Sequence, residues 1–343
     1  MDTSIALILL QDGLVNGAIY ALLALSLVMV FTVTRVIFIP QGELVAFAAL
    51  TYAALNGGQV PGSIYLLAAL GMGACAMGLL RMRHTLSRRG VALLALETLV
   101  LPAAIVLLVQ AIAPTRPGVL LSAALTVAIV TPMAPYLYRL AFQPMAEAPI
   151  LVLLIAAVGT HLALVATGLV AFGPEGFRGT PLGTTPLHLG DQVIPGQALA
   201  IGTVTGGLML LLGLFFGRTL TGKALRAVAV NRLGASLVGI GTARSGRIAF
   251  TLAGGIGALS GVLIAPLTTV YYDSGFLVGL KGFVAAIIGG LLSYPIAVAA
   301  ALLVGCVESL SSFYASAFKE VIVFATIIPV LLWRSFRSPA DEE

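Results

Sequence analysis

Residues 36–47 read VIFIPQGELVAF, an apolar run interrupted by Pro40, Gln41, Gly42 and Glu43. What the interruption means depends on its surroundings. The chain has 343 residues, 59% of them hydrophobic and only 9% charged. A soluble domain carries about 25% charged residues, so this composition cannot build a water-facing globular surface. Apolar segments recur along the whole length, at 5–32, 37–56, 62–80, 91–113, 118–138, 149–172, 196–216, 247–270, 277–292, 295–316 and 319–333. Several approach the roughly 20 residues that a bilayer-crossing helix needs. The runs are continuous rather than alternating with period two, which excludes a membrane β-barrel. The expected fold is an all-α polytopic membrane protein with about 8–11 transmembrane segments, some broken or re-entrant.

Charge then sets an orientation. The stretch RMRHTLSRRG (81–90) holds four arginines, and 217–247 holds six basic residues and no acid. By contrast, 172–196 has Glu175 and Asp191 against Arg178. An outside N-terminus and alternating sides place every Lys and Arg except Arg116, Arg178, Lys281 and Lys319 in the cytoplasm, which is 14 of 18. That follows the positive-inside rule and gives N-out, C-in. The net charge of +5 is thus a topology signal. No basic stretch is interleaved with aromatics, so no nucleic-acid partner is expected, whereas membrane lipid is. No basic residue precedes Arg35, so the first run lacks the charged start of a cleavable signal and reads as a retained helix.

Catalytic chemistry is missing from the pattern. GRTLTGKA (217–224) fits the spacing of a phosphate loop, but an apolar helix precedes it and Ala224 stands where a hydroxyl should hold magnesium. His84, His161 and His188 are scattered, and Cys75 and Cys306 both sit inside apolar runs as small core residues. No G-x-S-x-G nucleophile turn occurs. The expectation is a non-catalytic chain with no metal and no cofactor.

Ionisable groups inside apolar segments are expensive and become candidates for function. Glu97 lies near the start of its segment and reads as interfacial. His161 reads as a helix–helix hydrogen-bonding residue, and Glu308 as part of a polar network with Ser309, Ser311 and Ser312. Glu43 differs because Pro40 and Gly42 flank it. Proline suits a helix's first turn, so the stretch predicts a break after TRVIFI and a new helix from about Gln41. Glu43 then admits three roles: a first-turn acid facing the helix dipole, a contact for a substrate ammonium group, or an interfacial residue. Segment 277–292, short and glycine-rich with Lys281, echoes 36–56 and reads as a re-entrant or broken element. Pro40, Gln41, Gly42, Glu43 and Lys281 are the candidate lining of a translocation path.

Several blocks resemble the permease subunits of ABC importers for branched-chain amino acids. GLVNGAIYALLALSLVMVFTVTRVIFIPQGELVAFAAL (13–50) is similar to their first two helices, the second of which opens near Asn-Phe-Ala-His-Gly-Glu. YRLAFQPM (138–145), ALRAVAVNRLGASLVGI (224–240) and GLKGFVAAIIGGLLSYPIAVAAALLVGCVESLSSFY (279–314) resemble further family blocks. Gln41 stands where the family often has histidine, Ile39–Pro40 replaces Phe–Ala, and Val230–Asn231 replaces a Glu–Asp pair. The region 62–113 is longer, as if a hairpin were added. The resemblance implies one permease domain over 1–343 in a bacterial inner membrane. It also implies two ATP-binding subunits, a second and different but related permease chain, and a periplasmic substrate-binding protein. Loop 217–247 would be the cytoplasmic coupling segment, through Lys223, Arg226, Asn231, Ala235 and Gly239. Leucine-type amino acids, urea or short amides, and aromatic acids are the substrates it admits. An ion-coupled secondary transporter and a passive channel for small urea- or amide-like solutes are the alternatives from the residues alone.

Overall fold

The computed structural model describes residues 3–82, 88–189 and 192–337. Within RMRHTLSRRG, residues 83–87, His84 among them, lie outside the described residues, as does Asp191. The helices are α1 (Thr3–Thr34), α2 (Gln41–Asn56), α3 (Ser63–Met82), α4 (Arg88–Ala95), α5 (Leu101–Ile112), α6 (Val119–Val130), α7 (Met133–Leu137) and α8 (Ile150–Phe172). A hairpin of β1 (Leu187–Leu189) and β2 (Gln192–Ile194) follows. Then come α9 (Gly196–Arg218), α10 (Leu220–Val230), α11 (Arg232–Leu237), α12 (Thr242–Ile264), α13 (Gly275–Ile288), α14 (Tyr294–Tyr314), α15 (Lys319–Ala325) and α16 (Ile327–Arg337).

Each of the eleven apolar segments is helical, yet among the described residues only eight helices are long and apolar enough to cross a membrane. The difference lies in three elements. Helix α2 has 16 residues and α13 has 14. At 1.5 Å per residue neither covers the roughly 30 Å hydrocarbon core. The segment at 319–333 is divided between α15 and α16 at Thr326.

Helix α2 is buried on all sides, which is why its sequence is apolar without a polar face. Small residues let its neighbours approach. Gly261 of α12 lies against Val45, Ala48 and Ala49, and Gly168 of α8 against Phe47. The most extensive helix pair, α1 with α14, runs antiparallel along a glycine seam. In it Gly13 meets Cys306, Gly17 meets Leu302, and Gly305 meets both glycines in return. The outer helices turn large apolar side chains outward, such as Leu107 (67% exposed) and Val170 (89%), so their solvent is lipid.

The bundle has two chemically distinct ends. At one, Val33 of α1 packs with Leu225, Val228, Ala235 and Ala249, and Arg232 Nη1 donates to the Ala146 carbonyl at 3.0 Å. This basic end gathers Arg35, Arg139, Arg218, Lys223, Arg226, Arg232, Arg244 and Arg247. At the other, residues 177–179 lie on loop 265–270, with Phe177 and Val270 exchanging backbone hydrogen bonds of 3.0 and 2.9 Å.

Candidate functional site

The break at Pro40 lies deep inside the bundle. Helix α1 ends at the basic end, where Arg35 adopts φ 62° and turns the chain back inward. That left-handed conformation is costly for a residue with a Cβ. Its N–H bonds to the Phe31 carbonyl at 2.8 Å, and its guanidinium lies 6.0 Å from the Phe31 ring. Pro40, at φ −62°, then starts α2 at Gln41. Gln41 Nε2 donates to the Ala253 carbonyl at 2.9 Å, halfway along α12, so the start of α2 is at mid-depth.

There α2 meets the start of α13. A Cβ on Gly42 would collide with the carbonyl oxygen of Gly275 and reach 3.0 Å from Gly279 Cα. Two helix N-termini thus abut, and each presents unpaired N–H groups and a positive dipole end. Glu43, 0% exposed, is the nearby acid, and its Oε1 lies 3.0 Å from His161 Nδ1 of α8. His161 packs on Phe276, with ring centroids 4.8 Å apart. Gln41 Oε1 and Glu43 Oε2 are buried without partners among the described residues.

Lys281 stands on a different feature, a cavity of about 360 Å³ toward the far end. Its Nζ is 2.6 Å from Glu308 Oε1 and 3.2 Å from Glu320 Oε1. Lys319 approaches the same two carboxylates at 3.6 Å each, and the Tyr20 hydroxyl donates to Glu308 Oε2 at 2.5 Å. Two cations and two anions cancel, which makes their burial tolerable where an isolated charge would not be. Glu320 Oε2 remains buried without a partner. The same cavity is also lined by the aliphatic side chains of Val45, Ile264, Leu277 and Val278. A second cavity of about 460 Å³, nearer the start of α1, shares Asn16, Leu267, Glu308 and Lys319 with the first. The Glu308–Lys319 contact therefore stands between two cavities.

Of the residues grouped from sequence, Lys281 lines this cavity, whereas Pro40, Gln41, Gly42 and Glu43 lie behind its floor at Gly275. The expected serine network around Glu308 is not formed. Ser309 donates to the Leu9 carbonyl at 2.8 Å, and Glu308 turns to lysines and Tyr20 instead. Tyr20, Lys319 and Glu320 were not singled out by sequence. Their signal was opposite charges in separate apolar segments, which only helix packing brings together.

At the basic end, α10 and α11 form a hairpin in which Thr219 accepts from Gly222 N–H at 3.0 Å and Asn231 from Gly234 N–H at 2.8 Å. These caps, with Gly239 at φ 87°, fix the two short helices. Leu225, Val228 and Ala235 face inward, and Ala235 anchors the hairpin rather than presenting a surface. Lys223, Asn231 and Gly239 are exposed, as is Arg226, which donates to the Phe216 carbonyl. Leu220 (85% exposed) and Val230 (86%) project outward beside them. The GRTLTGKA stretch spans the end of α9 and the first turn of α10, with no preceding strand.

Lipid-facing helices around a charge-balanced interior cavity define a multi-pass membrane protein of the transport type. The family described as the branched-chain amino acid transport system permease component matches residues 85–331, and the chain belongs to that family. It is 34% identical over 202 residues to the high-affinity branched-chain amino acid transport system permease protein LivH of Salmonella typhimurium, covering 57% of this chain and 65% of that protein. LivH of Escherichia coli K12 matches with the same figures. BraD of Pseudomonas aeruginosa, also a high-affinity branched-chain amino acid transport system permease protein, is 33% identical over 144 residues, 41% of this chain and 47% of its own. The match thus spans 65% of the LivH length. A solved structure, PsaBC from Streptococcus pneumoniae in complex with Fab, aligns over 96% of this chain and 92% of its own at 12% identity, with a TM-score of 0.38. Nothing below rests on that likeness.

Proposed function

We propose that this chain is the membrane-spanning permease subunit of an ATP-driven importer and forms part of the path for branched-chain amino acids. The observation that carries the reading is the cavity beside Lys281. Its lining combines cations and anions with aliphatic side chains, matching a zwitterionic head and a branched apolar tail. The Glu308–Lys319 contact, standing between two cavities, would be exchanged as cargo passes.

In this reading the subunit itself is non-catalytic, and two ATP-binding subunits hydrolyse ATP. They dock on the α10–α11 hairpin, whose outward Leu220 and Val230 sit among Lys223, Arg226, Asn231 and Gly239. A second, related permease chain completes the path, and a periplasmic binding protein delivers substrate at the opposite end. The basic end faces the cytoplasm of a bacterial inner membrane, giving N-out, C-in.

The test is reconstitution in proteoliposomes with the partner subunits and binding protein, reading uptake of radiolabelled leucine. ATP-dependent uptake that falls about tenfold or more in Lys281→Met, with assembly intact, supports the reading. Uptake that persists without ATP would overturn it. Sidedness is checked by an impermeant thiol reagent on cysteine-free whole spheroplasts, where Thr184→Cys should label and Ser236→Cys should not.

A further inference from the structure

A second charged cluster lies at the basic end, away from the cavities above. It is built on two wide helical turns. Residues Leu96–Val100 form one π-turn and Tyr138–Phe142 another. Such turns insert an extra residue into a helix and are frequent at functional sites. Each carries one partner of an ion pair, with Arg139 Nη2 2.5 Å from Glu97 Oε2. Arg247 of α12 comes within 3.6 Å of the same oxygen, and the Tyr136 hydroxyl donates to the Glu97 carbonyl at 2.5 Å. Arg244, one turn earlier, completes the wall of a cavity of about 380 Å³.

Two features of this cavity point to a ligand. First, it is over-charged, since Arg139, Arg244 and Arg247 face the single carboxylate of Glu97. Second, it has donors to spare. Arg139 is only 9% exposed, yet its Nη1 has no acceptor among the described residues. Thr131 Oγ1, on the same wall, is likewise buried and unpartnered. A guanidinium can only donate, so the group that completes the site is an acceptor, and the surplus charge makes it anionic. Guanidinium groups match phosphate oxygens in both charge and geometry. Leu101 lines the cavity, and Leu96 and Val100 of the adjoining turn are exposed on the lipid-facing surface. The ligand is therefore anionic at one end, apolar at the other, and enters from the bilayer.

We propose that this cavity seats the phosphodiester headgroup of an anionic phospholipid, with Arg139, Arg247 and Thr131 on the phosphate and the acyl chains along Leu96–Leu101. Basic clusters at the cytoplasmic boundary of helical bundles recognise such headgroups by the same charge logic. The site is independent of the cargo cavity and of the transport reading.

Native mass spectrometry of the full-length protein in neutral detergent tests it, with phosphatidylglycerol, phosphatidylcholine and inorganic phosphate as probes. One phosphatidylglycerol should be retained per chain, with about a tenfold preference over phosphatidylcholine. Arg139→Gln with Arg247→Gln should lower retention by about tenfold or more. Thr131→Val leaves the ion pairs intact and should lower it by a few-fold, which keeps the proposal testable if the arginine variant does not fold. Equal retention of phosphatidylcholine, or unchanged retention in Thr131→Val, overturns the proposal. So does displacement of the lipid by inorganic phosphate at equal concentration, which would mark a free-anion site. Loss of ATP-binding subunits from Arg139→Gln with Arg247→Gln, at unchanged lipid retention, would make the cluster a protein-docking surface and overturn it too.

Discussion

The α2–α13 junction and the Lys281 cluster are both buried and polar, but they are closed by different physics. At the junction, backbone meets backbone. Gly42 rests on the Gly275 carbonyl, and no side chain is free to move aside. At the cluster, four charged side chains form ion pairs across three helices, with a carboxylate oxygen to spare among the described residues. The first contact has one arrangement. The second is held by side chains that carry balanced charge and can exchange partners, which is what the proposed passage needs. Rigidity here comes from missing side chains, and adaptability from charged ones.

The comparison can be broken most directly at Gly42. Gly42→Leu should abolish uptake and lower folded yield, because the added side chain meets backbone that cannot shift, and overpacking of this kind costs about 1–3 kcal/mol or more. Detergent-extracted yield and thermal unfolding would show it. A well-folded, fully active Gly42→Leu would remove the distinction between the two regions.

Next comes the cluster. Lys281→Met leaves Lys319 alone against the two carboxylates of Glu308 and Glu320, and breaking a buried pair costs up to about 3–5 kcal/mol. Adding Glu308→Gln should recover part of the unfolding temperature without restoring leucine uptake. If uptake returns together with stability, the cluster is scaffolding and carries no passage.

Smaller effects sharpen the contrast. Glu43→Gln keeps the shape beside His161 but loses the charge near two helix N-termini, a loss of about 0.3–2 kcal/mol. Uptake should fall a few-fold while the unfolding temperature moves little. Smallest of all is Gly255→Ala. A Cβ there meets only Thr131 at ordinary contact distances of 3.7 and 3.8 Å, so the helix should gain up to about 1 kcal/mol with uptake unchanged. Gly255 and Gly42 would then differ by neighbours alone.

How much of this was legible follows the same division. The break at Pro40 could be read because proline and glycine obey local rules, and α2 begins where they place it, at Gln41. The shortness of 277–292 was visible for the same reason. The pairing of Lys281 with Glu308 was not, since the partners lie on different helices and their meeting depends on how α13 packs on α14. The serines beside Glu308 were misleading, because adjacency in sequence sends Ser309 to another helix face and onto Leu9. The wide turns carrying Glu97 and Arg139 have no composition of their own, so tertiary packing alone announces them.

The equal numbers of lysines and carboxylates around the Lys281 cavity, the proposed cargo site, have an electrical consequence. A zwitterion arriving there exchanges ion-pair partners one for one, and the site holds the same total charge loaded or empty. Moving one elementary charge through a membrane potential is worth about 2.3 kcal/mol per 100 mV, and loading this cavity moves none. In the proposed reading the loading step is therefore insensitive to voltage, and the work of import falls to ATP.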